Sequence, residues 1–198
     1  MEQIRAFIAI ELSEELKASL ARLQGLIKQG SESYVKWVDP QGVHLTLKFL
    51  GNISVDKVSE ISKAIAEVAS SAAPFRLELT EFGAFPNLKA PRVAWVGLGG
   101  DLESLLRLQR GIDQALIPLG FPAEARAFSP HLTLGRVRDQ AAPPERRKLG
   151  QRIASLKVQG QPSLYVDKVS LMRSQLTSKG AIYSRLSAAE LLLPTSWA

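Results

Sequence analysis

Apolar and polar positions alternate twice in a way that points to two related strands. Val43 to Gly51 reads VHLTLKFLG, and Pro130 to Arg138 reads PHLTLGRVR. Period-two alternation over this length predicts a half-buried strand. Residues i and i+2 of a strand share a face, so His44 and Thr46 point one way and Leu45 and Leu47 the other. The same holds for His131 and Thr133 against Leu132 and Leu134. Each strand presents an imidazole and a hydroxyl, with a leucine face behind to anchor them.

The rest of the chain supplies the frame. Arg5 to Glu11 predicts a strand with Phe7, Ala9 and Glu11 on one side. Ser13 is placed to cap a helix whose stripe is Leu16, Leu20, Leu23 and Ile27, with Glu14 and Glu15 in the first turn and Gly30 past the end. Tyr34 to Val38 predicts a short strand and Asp39 to Gly42 a turn. The first motif strand then runs to Gly51 and Asn52. Ser54 opens a second helix with stripe Val58, Ile61, Ile65 and Val68, closed at Ala72 to Pro74. Phe75 to Thr80 predicts a strand, Phe82 to Pro91 a loop, Arg92 to Leu98 a strand, and Leu102 to Leu116 a third helix. After the second motif strand, Pro143 and Pro144 open a basic helix to about Leu156. Its Arg146, Arg147, Lys148 and Arg152 are expected to point outward. Leu164 to Arg173 and Ala181 to Leu186 read as the last strands, and Leu191 to Leu193 as tail packing.

The two histidines of the motifs are the only two in the chain, 87 residues apart (131 minus 44). Adding 87 carries His44 to His131, Thr46 to Thr133 and Arg5 to Arg92. Each half runs strand, helix, motif strand, helix, strand. The expected fold is therefore α+β: residues 1–198 form a single bilobed domain from repeats at about 4–87 and 91–174. Each lobe is an antiparallel sheet with outer helices, related to the other by a pseudo-twofold axis. Polar His and Thr faces are costly to bury dry, so the sheets are expected to enclose a water-filled cleft.

Composition narrows the chemistry. Apolar content is 45% and charged content 22%, ordinary for a globular chain. There is no cysteine, which removes disulfides, thiolate nucleophiles and zinc–thiolate sites. No signal peptide or long apolar run is visible, so a soluble cytoplasmic protein is expected, with no membrane partner. Residues 1–99 hold 11 Lys/Arg and 11 Asp/Glu, whereas residues 100–198 hold 14 and 8, so the whole net charge of +6 lies in the second half. A localised basic excess suits a polyanion such as RNA, and equally a merely solvated basic face.

Two imidazoles facing each other suit acid–base chemistry near neutral pH. The two threonine hydroxyls can donate to the non-bridging oxygens of a phosphate held between them. Lys48 continues the His44 face at i+4 and is a candidate substrate contact. Its counterpart is Gly135, and Arg136, a second candidate contact at the rim, is one residue out of phase. Two histidines without helical or carboxylate spacing make poor metal ligands, and no nucleotide-binding glycine loop is present. No cofactor and no metal are expected. Trp37, Trp95, Phe82 and Phe85 can stack bases or fill the core.

Paired His-x-Thr-x motifs in such a chain resemble the 2H phosphoesterase family, and more closely its RNA 2′,3′-cyclic phosphodiesterases, the 2′-5′ RNA ligase-like branch. Arg5 to Ala9, Trp37-Val38, Phe82 to Pro86, Pro91 to Trp95, Ser174, Gly180 and Tyr183 extend the resemblance over about residues 4 to 187. It implies hydrolysis of an RNA 2′,3′-cyclic phosphate end to a 2′-phosphomonoester, with His44 as proton donor, His131 as proton acceptor and Thr46 and Thr133 on the phosphate. It also implies a reverse 2′-5′ ligation. Symmetry alone assigns neither histidine role. Two other readings fit the same residues: a non-catalytic RNA- or nucleotide-binding module, and a phosphodiesterase for a small cyclic metabolite. A monomer is expected.

Overall fold

The N-terminal alternation forms β1 (Gln3–Glu11), and the leucine stripe after it forms α1 (Glu14–Lys28). Ser13 caps that helix: its Oγ accepts from the Leu16 N–H at 3.3 Å, satisfying a donor that a helix start leaves open. The order continues as β2 (Val35–Trp37), β3 (His44–Ser54), α2 (Val58–Ala69), β4 (Phe75–Phe85), β5 (Val93–Gly100) and α3 (Leu102–Ala115). It ends with β6 (His131–Val137), α4 (Pro143–Ser155), β7 (Ser163–Val166), β8 (Lys168–Thr177) and β9 (Gly180–Glu190). This computed structural model describes residues 2–160, 162–177 and 180–192.

The strands form two antiparallel sheets, ordered β3-β1-β8-β9 and β2-β6-β5-β4-β7. With the four helices this is the α+β architecture expected from the alternation. The chain halves do not keep to their own sheets. β4, from the first half, pairs with β5, and β8, from the second half, pairs with β1. Each sheet is therefore completed by two strands from the other half, β8 and β9 in the first and β2 and β4 in the second.

The motif leucines form the inner face. Leu45, Leu47, Leu132 and Leu134 are at most 3% exposed and belong to one apolar cluster with Ile8, Ile10 and the helix stripes. That cluster includes Leu16, Leu20, Ile61, Ile65, Leu105, Ile112 and Ile153. A leucine truncated in such a core typically costs about 2–5 kcal/mol, so the strands that carry the histidines are held firmly from behind. Phe7, Ala9 and Met172 form a separate small cluster with Tyr183 against it.

Two expected boundaries are corrected. β4 does not stop at Thr80: a register slip between Leu79 and Phe82 lets Phe82 to Phe85 pair with Val96 to Val93. The turn signal that remains beyond Phe85 is Pro86, Asn87 and Pro91, whereas Gly83 lies within β4 opposite Trp95. The strand expected over Leu164 to Arg173 is two strands, since β7 pairs with β4 in one sheet and β8 with β1 in the other. Asp167 is the hinge between them, and its carbonyl accepts from the Leu191 N–H at 2.7 Å. Leu191 is buried as expected, whereas Leu193 lies outside the described residues.

Candidate active site

The strand register decides which side chains share a face with the histidines. On β1 and β3, Glu11 lies opposite His44 and Ala9 opposite Thr46. A bulge then leaves Leu47 extra, so Ile8 lies opposite Lys48 and Phe7 opposite Phe49. Directly opposed residues of an antiparallel pair point the same way. The His44 face therefore carries Thr46, Phe49, Phe7, Ala9 and Glu11, and Lys48 turns to the core with Ile8. The second copy repeats this. Gly97 lies opposite His131 and Trp95 opposite Thr133; Leu134 is extra; Ala94 then opposes Gly135 and Val93 opposes Arg136.

These bulges correct both expectations for the flanking cations. Lys48 does not continue the His44 face. It is 4% exposed, ion-paired to Asp113, and its Nζ donates to the Pro122 carbonyl at 2.8 Å. Arg136 is not out of phase; the bulge brings it, exposed, onto the face of His131 and Thr133. The pairing also aligns Ala9 with Trp95, an offset of 86, so Arg92 is the counterpart of Ala6 rather than of Arg5.

Both imidazoles are held by the same device. His44 Nδ1 lies 2.9 Å from the Gly42 carbonyl, and His131 Nδ1 lies 2.7 Å from the Ser129 carbonyl, each two residues upstream. A carbonyl only accepts, so the proton sits on Nδ1 in both rings. Nε2 is left with its lone pair when the ring is neutral, and with a second N–H to give when it is charged. His44 stacks on Phe7 at 4.6 Å and meets Tyr183 edge-on at 4.8 Å. His131 meets Phe85 edge-on at 4.9 Å, with Trp95 at 6.3 Å. Burial pushes the His44 ring below its usual pKa; the Gly42 hydrogen bond and the charge of Glu11 oppose this without cancelling it.

The motif strands belong to different sheets, yet β3 and β6 approach within 8 Å between Cα atoms. The end of β2 is tied to β6: Val38 N–H donates to the Leu134 carbonyl at 2.9 Å, and Gln24 Nε2 donates to the carbonyls of Val38 and Leu134. A cavity of about 210 Å³ beside His44 has Glu11, Lys17, Gln41, Met172 and Tyr183 among its walls; His131 is not one of them. Among the described residues, no group of three or more His, Asp or Glu converges as metal ligands would, and no helix is long and apolar enough to cross a membrane.

The basic helix α4 is less open than expected. Arg146 donates to the carbonyls of Ala141, Pro91, Arg138 and Asp139, and Arg152 to the carbonyl of Leu26 and to Gln29. Both are fastened to the fold. Arg147 and Lys148 remain exposed.

Comparison with known proteins agrees with this layout. A family model described as LigT like Phosphoesterase matches residues 10–95 and again 100–183, one motif in each match. The chain belongs to the LigT-like phosphoesterase family. It is similar to an RNA 2′,3′-cyclic phosphodiesterase of Methanothermobacter thermautotrophicus, 35% identical over 96% of this chain and 100% of that protein. A protein of the same description from Aquifex aeolicus is 30% identical over 93% of this chain and 95% of its own. Among solved structures, the Thermus thermophilus protein TT0787 superposes with a TM-score of 0.79 at 29% identity, covering 95% of this chain and 98% of that one.

In this LigT-like phosphoesterase several residues near the histidines carried little signal in the sequence. Phe49 is 63% exposed on the His44 face, a position that strict alternation assigns to the core. Tyr183 is part of the family resemblance, but nothing in the sequence places it against His44, whose ring it meets edge-on. Glu11 ends a predicted strand with its side already known, but its partner Arg185 lies 174 residues away.

Proposed function

We propose that this LigT-like phosphoesterase opens the 2′,3′-cyclic phosphate at an RNA end to a 2′-phosphomonoester, without a metal. The observation that carries the reading is the duplicated imidazole lock, which readies two Nε2 atoms beside a hydroxyl on the same strand face. In this reading both imidazoles face one phosphate, and residues 1–198 work as one bilobed catalytic unit, a cytoplasmic monomer.

His131 Nε2 takes a proton from water as the water oxygen bonds to phosphorus. The bond from phosphorus to O3′ breaks, and His44 gives its Nε2 proton to O3′. Charge that builds on the non-bridging oxygens is met by the hydroxyls of Thr46 and Thr133, with Arg136 adding a positive charge at the rim. With a 5′-hydroxyl in place of water the same step joins RNA through a 2′-5′ bond: His131 takes the proton of the 5′-hydroxyl as its oxygen bonds to phosphorus, and His44 gives its proton to the departing O3′. Of the named relatives, those of M. thermautotrophicus and A. aeolicus support the substrate class.

The test is a short RNA with a 2′,3′-cyclic end, incubated with purified protein in excess chelator. A 2′-phosphate product is expected, at a rate the chelator leaves unchanged. Loss on chelation with rescue by a divalent ion would refute the metal-free step. Tight binding without turnover would make the chain a binding module. Faster turnover of a cyclic mononucleotide than of RNA would point to a small metabolite.

The threonines give a second, smaller effect. Thr46→Val and Thr133→Val keep the shape and remove one donor each. Each is expected to lower kcat/KM on the same RNA by on the order of 10–10³-fold, in the range of a lost oxyanion donor. Wild-type kcat/KM in either variant would take that hydroxyl off the phosphate.

A further inference from the structure

The two histidines share the carbonyl lock but differ in what lies across the neighbouring strand. Opposite His44 stands Glu11; the matching place opposite His131 is Gly97. A Cβ at Gly97 would meet Thr80 Oγ1 at 2.9 Å and the Trp95 ring at 3.3 Å, so that position has no room for a side chain as it stands. The asymmetry is one carboxylate against none.

Glu11 is held in place. Arg185 Nε donates to Oε1 at 2.7 Å and Nη2 to Oε2 at 3.0 Å, a two-point grip that fixes the plane of the carboxylate. Ser170, itself 1% exposed, donates from Oγ to Oε1 at 2.5 Å. Burial pushes the Glu11 carboxyl up, but the bonds from Arg185 and Ser170 and the charge of Arg185 bring it below the ordinary carboxylate range. It is therefore ionised throughout the range in which a histidine titrates. Glu11 and His44 also wall the same cavity.

We propose that Glu11 is a positioning residue for the reaction proposed above: clamped by Arg185 and Ser170, it keeps a fixed negative charge beside His44 and thereby makes His44, rather than His131, the proton donor. The inference rests on that functional reading. An imidazole half-buried against Phe7 and Tyr183 sheds its proton easily; a donor must keep it until the leaving oxygen arrives. An anion on the adjacent strand supplies the opposing pull, and the second sheet has no equivalent.

The other charged and titratable groups around His44 do not duplicate this. Tyr183 on β9 meets the ring edge-on and brings no carboxylate to it. Lys17 on α1 walls the cavity but is paired with Glu14 at 2.8 Å. Lys168 on β8 acts on Glu11 rather than on the ring. Arg185 opposes Glu11 from β9, and Arg136 is carried by the other sheet.

With only two histidines, each ring can be followed separately by NMR in the substrate-free protein. In Glu11→Gln the His44 midpoint is expected to fall by about one pH unit, the lower end of the effect of one nearby opposite charge, while His131 stays in place. The basic limb of kcat against pH should move down with it, with KM little changed. Arg185→Gln leaves the carboxylate unopposed and should move the His44 midpoint the other way; Glu11→Asp should largely restore the wild-type profile. Opposite shifts from the two partners of one ion pair are not what a merely structural contact produces. An unmoved His44 midpoint in folded Glu11→Gln, with an active wild type, overturns the role of Glu11. A wild type with no turnover strikes the functional reading instead.

Discussion

His44→Ala and His131→Ala, each folded, are expected to lose turnover of a cyclic-phosphate RNA by about 10²–10⁴-fold, the usual worth of a general acid or base. The double variant should lose much less than the product of the two single losses. In the proposed reaction both protons move in one step, and a step that has lost its acid gains little from keeping its base. In all three the proposed phosphate contacts of Thr46, Thr133 and Arg136 are kept, so the loss should fall on kcat rather than KM. Rate against pH should form a bell whose limbs belong to the pair. A bound phosphate anion favours the charged form of both rings, so the kcat profile should sit at higher pH than that of kcat/KM. Removing the His44 ring also uncovers Phe7 and Tyr183, so each variant needs a denaturation curve beside its rate. Folded single variants with wild-type turnover would reduce both residues to strand histidines satisfied by Gly42 and Ser129.

Most of the frame was legible because local signals agreed. Ser13 with the stripe Leu16, Leu20, Leu23 and Ile27 specifies α1 from cap to core, and His-x-Thr-x with alternating leucines specifies the two motif strands and their inner face. What escaped was whatever depends on a break in period. A face assigned by counting in twos fails after one inserted residue. Leu47 and Leu134 are such insertions, which is why Lys48 and Arg136 each appeared on the wrong side. The adjacent apolar pair Phe49 and Leu50, where the alternation breaks just after Lys48, was the hint. The exchange of β4 and β8 between sheets was not legible, because either strand pairs equally well by composition. Nor was the clamp on Glu11, which joins residues at opposite ends of the chain.

The second large effect concerns stability. Asp113→Ala should destabilise the fold by about 3–5 kcal/mol, the usual result of leaving one member of a buried ion pair alone. The Lys48 side chain is 3% exposed and that of Asp113 11%, so water cannot replace the lost partner. Lys48 would keep only the Pro122 carbonyl among its present acceptors, and the Glu124 N–H would lose the Asp113 oxygen it donates to at 3.1 Å. Against a typical total of about 5–15 kcal/mol, that loss should be plain in a urea melt. Lys48→Met with Asp113→Leu removes both charges at similar volume and should recover most of it, because a buried pair contributes little beyond the cost of desolvating it. The recovery separates this pair from a catalytic one. The folded double variant should turn over cyclic-phosphate RNA near the wild-type rate, since neither side chain lies on the histidine face. If Lys48→Met alone melts like wild type while kcat/KM falls a hundredfold or more, Lys48 reaches the phosphate after all, and the bulge at Leu47 does not turn it inward.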